Sequence, residues 1–420
     1  MQRRVFLALA LAGCAGVVRA DVAPPAAAGP TPADLLGASG DPNFIAWLND
    51  YYARALAAGA PRAILDRELS GLSPDPRIGA HDATQPEFAR PVSDYIAAQV
   101  TPGVISLGRA KRSAIPQMDK IEDTYGVPRD ILIGVWAMES GFGASQGNFD
   151  VIRSLATLAA NGRRRAWAEN ELTSCLKIIE SGEATRAQLK GSWAGAMGQT
   201  QFLPSAFLST AVDGDGDGKR DIWGSAADAL ASAANLLAKG GWRRGEGWAR
   251  EVVLPAKFDF SLCEGPREVP SWWADKGAHR PSGAAWSEAD ADAPAQLIVP
   301  CGAGGPAFLA FPNHFAIRTY NNSLAYALAV GLLADRFAGG GPPIAPWPKE
   351  TPLSLTDRLD AQQALARLGF NPGTPDGVVG LGTRQALRAW QKARGLTADG
   401  YLSPAMVAKL RAEAAGTAHA

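Results

Sequence analysis

The sequence predicts a mainly α fold of the α+β type, and three observations predict it. Apolar residues recur at helical spacing through most of residues 40–240. Short β-like runs are confined to residues 250–312. A second helical pattern, at 355–412, follows a stretch rich in Pro and Gly. A chain of 420 residues allows two or three domains. Hydrophobic residues make up 47% and charged residues 20%, which suits a folded, water-facing protein. Lys+Arg and Asp+Glu balance at 41 each, so there is no electrostatic case for nucleic acid or an anionic membrane surface. Beyond the N-terminus, no apolar run approaches the ~20 residues that span a bilayer.

The chain opens on an export signal at 1–20. Arg3 and Arg4 precede an apolar stretch from Val5 to Val18. Three processing routes fit. Leu11-Ala12-Gly13-Cys14 matches a lipoprotein box, with Cys14 as the lipid anchor in the outer membrane. Val18-Arg19-Ala20 matches an ordinary cleavage site before Asp21. Arg3-Arg4 with the residues after them also resembles a twin-arginine signal. Each route predicts an exported, periplasmic protein. Residues 21–38 read as a low-complexity tether.

Helical segments follow at 42–58, 112–124, 128–140, 150–160, 164–181 and 225–238. Between 250 and 312, the runs E-V-V-L-P, F-D-F-S-L, Q-L-I-V-P and A-F-L-A-F predict a small sheet, inserted before a helix at 322–337. Cys263 and Cys301 lie in that region, where an exported protein can hold a disulfide, and that bond is predicted. Cys175 reads as a small buried hydrophobe in a helix. Residues 39–338 thus form one domain, and 339–353 a linker, flexible first and then stiffened by prolines. Residues 354–412 form a small helical module. In it 376–391 and 396–410 form a loose repeat of Asp-Gly, turn and helix, whose Asp376 and Asp399 read as turn residues.

The candidate chemistry centres on L-I-G-V-W-A-M-E-S-G-F-G at 132–143. Pro128 marks the helix start, Leu132, Val135 and Trp136 form an apolar stripe, and Glu139 is the next residue on that stripe. Gly141 and Gly143 end the helix. Burial and the negative end of the helix dipole both disfavour the charged carboxylate, which suits a general acid. The alternative is a helix frayed at Ser140 with Glu139 in water. A second segment, G-S-W-A-G-A-M-G-Q-T-Q-F-L-P-S at 191–205, has too many glycines for an ordinary helix or strand, and reads as a packed turn lining a cleft.

Together these segments resemble the lytic murein transglycosylases of the membrane-bound B type. V-I-R-S-L-A-T-L-A (151–159), R-R-R-A-W-A-E-N-E-L (163–172), D-G-D-G-D-G-K-R-D-I-W (213–223) and T-Y-N-N-S-L-A-Y-A (319–327) extend the match, in order, over roughly residues 40–338. The C-terminal module resembles the three-helix peptidoglycan-binding module, with Trp390 where Phe is common and Ser403 where Gly is common. The resemblance implies a lysozyme-like helical catalytic domain. It also implies cleavage of the β-1,4 bond between N-acetylmuramic acid and N-acetylglucosamine, with the muramyl 6-hydroxyl closing on C1 to leave a 1,6-anhydro end. Glu139 would be acid and then base, and the substrate's acetamido group would stabilise the cationic carbon in place of a second carboxylate. Asp150 and Glu171 are the rival acids nearby, and Glu171 is expected to pair with Arg163 or Arg164.

By motif, Ser192 and Gln201 would bind the sugar near the cleavage point. Tyr320, Asn321 and Tyr326 would line the groove, with Tyr95 as a wall residue. The bland readings are a helix cap for Asn321 and core for Tyr326. Trp193 reads equally as a stacking platform or as core. Asp213, Asp215, Asp217 and Gly218 fit positions 1, 3, 5 and 6 of an EF-hand loop, with the Lys219 carbonyl at position 7. Position 12 is Gly224, so Asp228 would supply the last ligand of a structural Ca²⁺, unless it forms a capping box with Ser225. Two rival functions remain: a lysozyme-like muramidase that adds water, and a non-catalytic cell-wall anchor, against which the intact Glu139, Ser192 and Gln201 argue.

Overall fold

The computed structural model describes residues 41–83, 90–281 and 283–416. The export signal, Cys14 and the tether lie outside the described residues. Eighteen α-helices and six short strands appear among those described, and no described helix is long and apolar enough to cross a membrane. The chain divides into two compact units. Of the described residues, one takes those up to 83 together with 139–236; the other takes those from 90 to 138 together with those from 237 to 416.

In the first unit the helix Val151–Ala160 is the centre. Val151, Ile152, Leu155, Ala156 and Ala159 are fully buried, and only Arg153 and Ala160 of this ten-residue helix reach the surface. It packs on Arg165–Glu180 and Pro42–Ala57. The latter begins where expected: Asp41 accepts from the N–H groups of Asn43 and Phe44, with Pro42 in the first turn. Asp150 caps the central helix through the Arg153 N–H and pairs with Arg186 at 3.0 Å. Two-residue strands, Phe149–Asp150 and Lys190–Gly191, pair antiparallel and bring the 139–150 and 190–202 segments side by side.

In the second unit, four antiparallel strands lie in the order Ala249–Val252, Ala307–Ala310, Ala295–Ile298, Arg267–Glu268. Val252, Leu297, Leu309, Phe311 and Trp273 form their core. Three of the four expected runs contribute strands. F-D-F-S-L does not: Phe260–Leu262 is a single 3₁₀ turn, because the Asp259 carboxylate takes both the N–H and the hydroxyl of Ser261. The helix Pro312–Tyr320 was not expected, and precedes the expected Leu324–Phe337. No disulfide joins Cys263 to Cys301. Both are buried free thiols; burial pushes Cys263 up to about 12, and the Cys301 thiol lies 3.4 Å from Glu350.

The module has three helices, Leu355–Arg367, Leu381–Ala393 and Pro404–Gly416, around Leu365, Leu387, Trp390, Val407 and Leu410. Trp390 fills the core and donates to Glu413. In its proline-rich part, the linker is docked on the second unit. The N–H groups of Ile344 and Ala345 bond to Glu251, Trp347 stacks on Phe308, and Glu350 accepts from the Ser93 N–H and the Tyr401 hydroxyl. The module is held to the sheet by Glu264, which is buried and clasped by Arg384 and Arg388 at 2.6 and 2.5 Å. Asp399 adds a bond to the Ala303 N–H, beyond its turn role.

Candidate active site

The Glu139 helix spans Arg129–Ser140 and buries Leu132, Val135 and Trp136, the predicted stripe. Glu139 continues that stripe and is 7% exposed, so the frayed, solvated alternative does not hold. The helix stops abruptly. Gly141, Phe142 and Gly143 all have left-handed backbone, at φ 59°, 63° and 85°. Two of these are glycines, for which that conformation costs little; Phe142 pays for it.

Ser140 makes the stop rigid. Its hydroxyl donates to the Gln199 carbonyl at 2.5 Å and accepts from the Gly143 N–H at 2.8 Å. The Gln199 N–H bonds to the Ile222 carbonyl, and its side-chain amide, like that of Gln146, donates to the Trp223 carbonyl. The end of the Glu139 helix is thereby fastened to the glycine-rich segment and to the loop at 222–223. Ser140 and Gln199 were not among the predicted site residues. Small polar residues beside glycines look like ordinary turn formers in sequence, and only the pairing over long separation shows their work.

The 191–202 segment is two nested turns. Ser192 bonds through its N–H to the Ala196 carbonyl and through its hydroxyl oxygen to the Ala196 N–H, while Met197 and Phe202 exchange both backbone bonds. The glycines are steric necessities: a Cβ on Gly147 would overlap the Gly191 carbonyl oxygen, and one on Gly191 would overlap that of Ala196. Gln201 is non-glycine yet left-handed, at φ 50°. Its amide nitrogen donates to the carbonyls of Gln146 and Gly198, at 3.0 and 2.9 Å. Trp193 is buried, with Arg164 over its ring at 5.6 Å, which supports its core reading.

Both rival acids have structural work. Asp150 is engaged as described above. Glu171 does not pair with Arg163 or Arg164; it accepts from the Ser205 N–H and hydroxyl at 2.9 and 2.7 Å, capping the helix Pro204–Thr210 that leaves the glycine-rich segment.

Glu139, Ser192 and Gln201 belong to the first unit; Tyr95, Tyr320, Asn321 and Tyr326 belong to the second. Tyr326 is fully buried, in keeping with its core reading. Asn321 ends the helix Pro312–Tyr320, and its side chain accepts from the Ser323 N–H, a turn role. Tyr320 and Tyr95 are buried.

Carboxylate oxygens of Asp213, Asp215, Asp217 and Asp228 converge within 4.8 Å. Backbone N–H groups hold them: Gly216 and Gly218 on Asp213, Asp217 on Asp215, Lys219 on Asp217. Asp228 is fully buried and takes three, from Gly214, Asp215 and Asp221. Burial raises its pKa, with those N–H groups opposing. Ser225 caps the helix through the Asp228 N–H, but the Asp228 carboxylate turns into the loop rather than closing a capping box.

A buried carboxyl at a helix end, walled by a rigid glycine turn on a helical scaffold, defines a lysozyme-like domain. The sequence matches the Transglycosylase SLT domain over residues 43–335, and the chain belongs to that family. Residues 354–410 match a putative peptidoglycan binding domain. Membrane-bound lytic murein transglycosylase B of Escherichia coli strain K12 is 30% identical over 229 residues, which are 53% of this chain and 60% of that protein. The alignment thus spans less than two thirds of that relative. The structure of SltB3 from Pseudomonas aeruginosa, in complex with NAG-anhNAM-pentapeptide, is 45% identical, with a TM-score of 0.84 over 88% of this chain and 100% of that one. The Escherichia coli lytic transglycosylase Slt35, in complex with calcium, is 26% identical, with a TM-score of 0.59 over 71% of this chain and 93% of that one.

Proposed function

We propose that the protein is a peptidoglycan lytic transglycosylase. It cleaves the β-1,4 bond between N-acetylmuramic acid and N-acetylglucosamine and leaves 1,6-anhydro ends. The observation that carries this reading is the burial of Glu139 at a locked helix end. Glu139 protonates the leaving oxygen, then accepts the proton of the muramyl 6-hydroxyl as that oxygen attacks C1. The capping roles of Asp150 and Glu171 favour this one-acid chemistry over a two-carboxylate hydrolysis. Because both N–H groups of the Gln201 amide go to backbone carbonyls, Gln201 meets the sugar as an acceptor, through its side-chain oxygen. Ser192 keeps its hydroxyl proton to give; Tyr320, Asn321 and Tyr95, in the second unit, are proposed as sugar contacts on the motif match alone, and Tyr326 is assigned to the core. The substrate class agrees with the anhydromuramyl ligand of the Pseudomonas aeruginosa relative and with the C-terminal module.

Mass spectrometry of muropeptides released from purified sacculi tests this directly. Anhydromuramyl products, one water lighter than reducing ends, are expected from the native protein. Reducing ends would make it a muramidase. Retention on sacculi without products would make it an anchor.

The four converging carboxylates fit a hard cation that takes oxygen ligands, and we assign Ca²⁺ to them, with the Lys219 carbonyl as a fifth ligand. The calcium complex of Slt35 supports the choice. The ion's role is structural. The N-terminal sequence supports a periplasmic site of action, and Cys14 is the anchor if the lipoprotein route is used.

A further inference from the structure

In the first unit a cavity of about 520 Å³ opens between the end of the helix Pro42–Ala57, the start of Arg62–Leu69 and one side of Arg165–Glu180. Neither Glu139, Ser192 nor Gln201 lines it. Its size falls within the range that holds small ligands. The floor is apolar and small-featured: Ala55, Ala58, Ile64 and Leu176. At one wall Arg54 and Glu169 neutralise each other through two bonds, with Trp47 also donating to Glu169. At the other, Lys177 and Glu180 are exposed, and among the described residues neither side chain has an ion-pair partner.

Lys177 and Glu180 stand one helical turn apart, so their side chains rise from neighbouring positions on one face, about 5–6 Å between Cβ atoms. An unpaired cation and an unpaired anion at that spacing match a zwitterionic α-amino-acid head: carboxylate to Lys177, ammonium to Glu180. The apolar floor would take the short aliphatic chain behind such a head.

We propose that this groove binds the peptide stem of peptidoglycan by its diamino acid, whose far end carries both an ammonium and a carboxylate when it is not cross-linked. This rests on the transglycosylase reading and adds to it a second point of attachment that senses the stem.

Two stem tripeptides separate the chemistry. One ends in diaminopimelate; the other ends in lysine, which has the same chain and ammonium but lacks the far carboxylate. Calorimetric titration of the full chain should show the diaminopimelate peptide binding at least about tenfold more tightly. Lys177→Met should remove that preference, and Glu180→Gln should weaken both peptides. Both positions are exposed, so these variants fold. Equal binding of the two peptides, or unchanged binding by Lys177→Met, overturns the proposal. With sacculi the Lys177→Met protein should show a raised KM and an unchanged kcat, and with glycan strands stripped of peptide no change at all. A native protein that fails to cut stripped strands or sacculi would sink the transglycosylase reading instead, while the titration still decides the groove.

Discussion

Two regions hold their buried acids in opposite ways. In the loop at 213–228, carboxylates are bound by backbone N–H groups, three of them on Asp228 alone. At the seam between sheet and module, Glu264 is bound by two guanidinium groups. An N–H brings a partial charge and leaves the carboxylate able to face a cation. A guanidinium brings a full charge and ends the matter. Burial by itself would raise the Glu264 carboxyl, and Arg384 and Arg388 overrule it, bringing it down to about 2. The first arrangement prepares a site and the second closes a joint. A buried acid therefore says little until its partners are named.

The comparison can be broken most sharply at Glu139, the buried acid assigned to chemistry. Glu139→Gln should lower anhydromuramyl release by about 10²–10⁴-fold, the range general acid–base catalysis supplies, with an unchanged melting temperature. A stable variant that still cuts would dismiss Glu139 as the acid. Glu264→Gln should do the reverse. It leaves the buried Arg388 and the half-buried Arg384 short of a counter-charge, so about 3–5 kcal/mol of stability is lost in denaturant titration, with cutting of soluble strands retained. The sign follows from the lowered pKa. A depressed carboxyl contributes stability above its ordinary value near 4.5, and that contribution is lost as pH falls towards 2. The native protein should therefore show a steep acid limb that the variant lacks.

The loop at 213–228 should respond to metal and the seam should not. Removing Ca²⁺ is expected to cost about 2.7 kcal/mol relative to a solution holding the ion at a hundred times its dissociation constant, read as a lower melting temperature. Asp217→Asn should blunt the response; a chelated protein that melts unchanged would refute the ion. The smallest effect belongs to the cysteines. Alkylation without reductant should label Cys175, Cys263 and Cys301 after unfolding, and reductant should not shift the melting temperature.

What the sequence made legible was periodic or chemically specific. The helices at 42–57, 151–160 and 165–180 carry apolar patterns, the first two with Asp caps, and the predicted bounds stand within a residue or two. Glu139 was legible because a charged residue on an apolar stripe is anomalous. Several misses share one cause, competition settled over long distance, and others are local. Asp259 turned an apparent strand into a 3₁₀ turn locally, but Glu171 found Ser205 rather than an arginine, and Glu350 gathered Ser93, Cys301 and Tyr401 from three distant segments. Such partners have no spacing to read. The helix Pro312–Tyr320 was missed because a short segment holding Asn, His, Arg and Thr has a weak apolar pattern, and Pro312 reads as punctuation until it proves to be a first-turn residue.

The docked linker matters for how the protein keeps company with copies of itself. Among the described residues Ala249–Val252 ladders with Ala307–Ala310 on one side, Val253 just beyond it exchanges backbone bonds with His279, and Glu251 on that strand accepts from the N–H groups of Ile344 and Ala345 in the linker. An uncovered edge is a template on which another chain can add a strand. A chain cut short at Phe337 would lose the C-terminal module and also the linker that occupies Glu251 beside that edge, so it should become less soluble as its concentration rises.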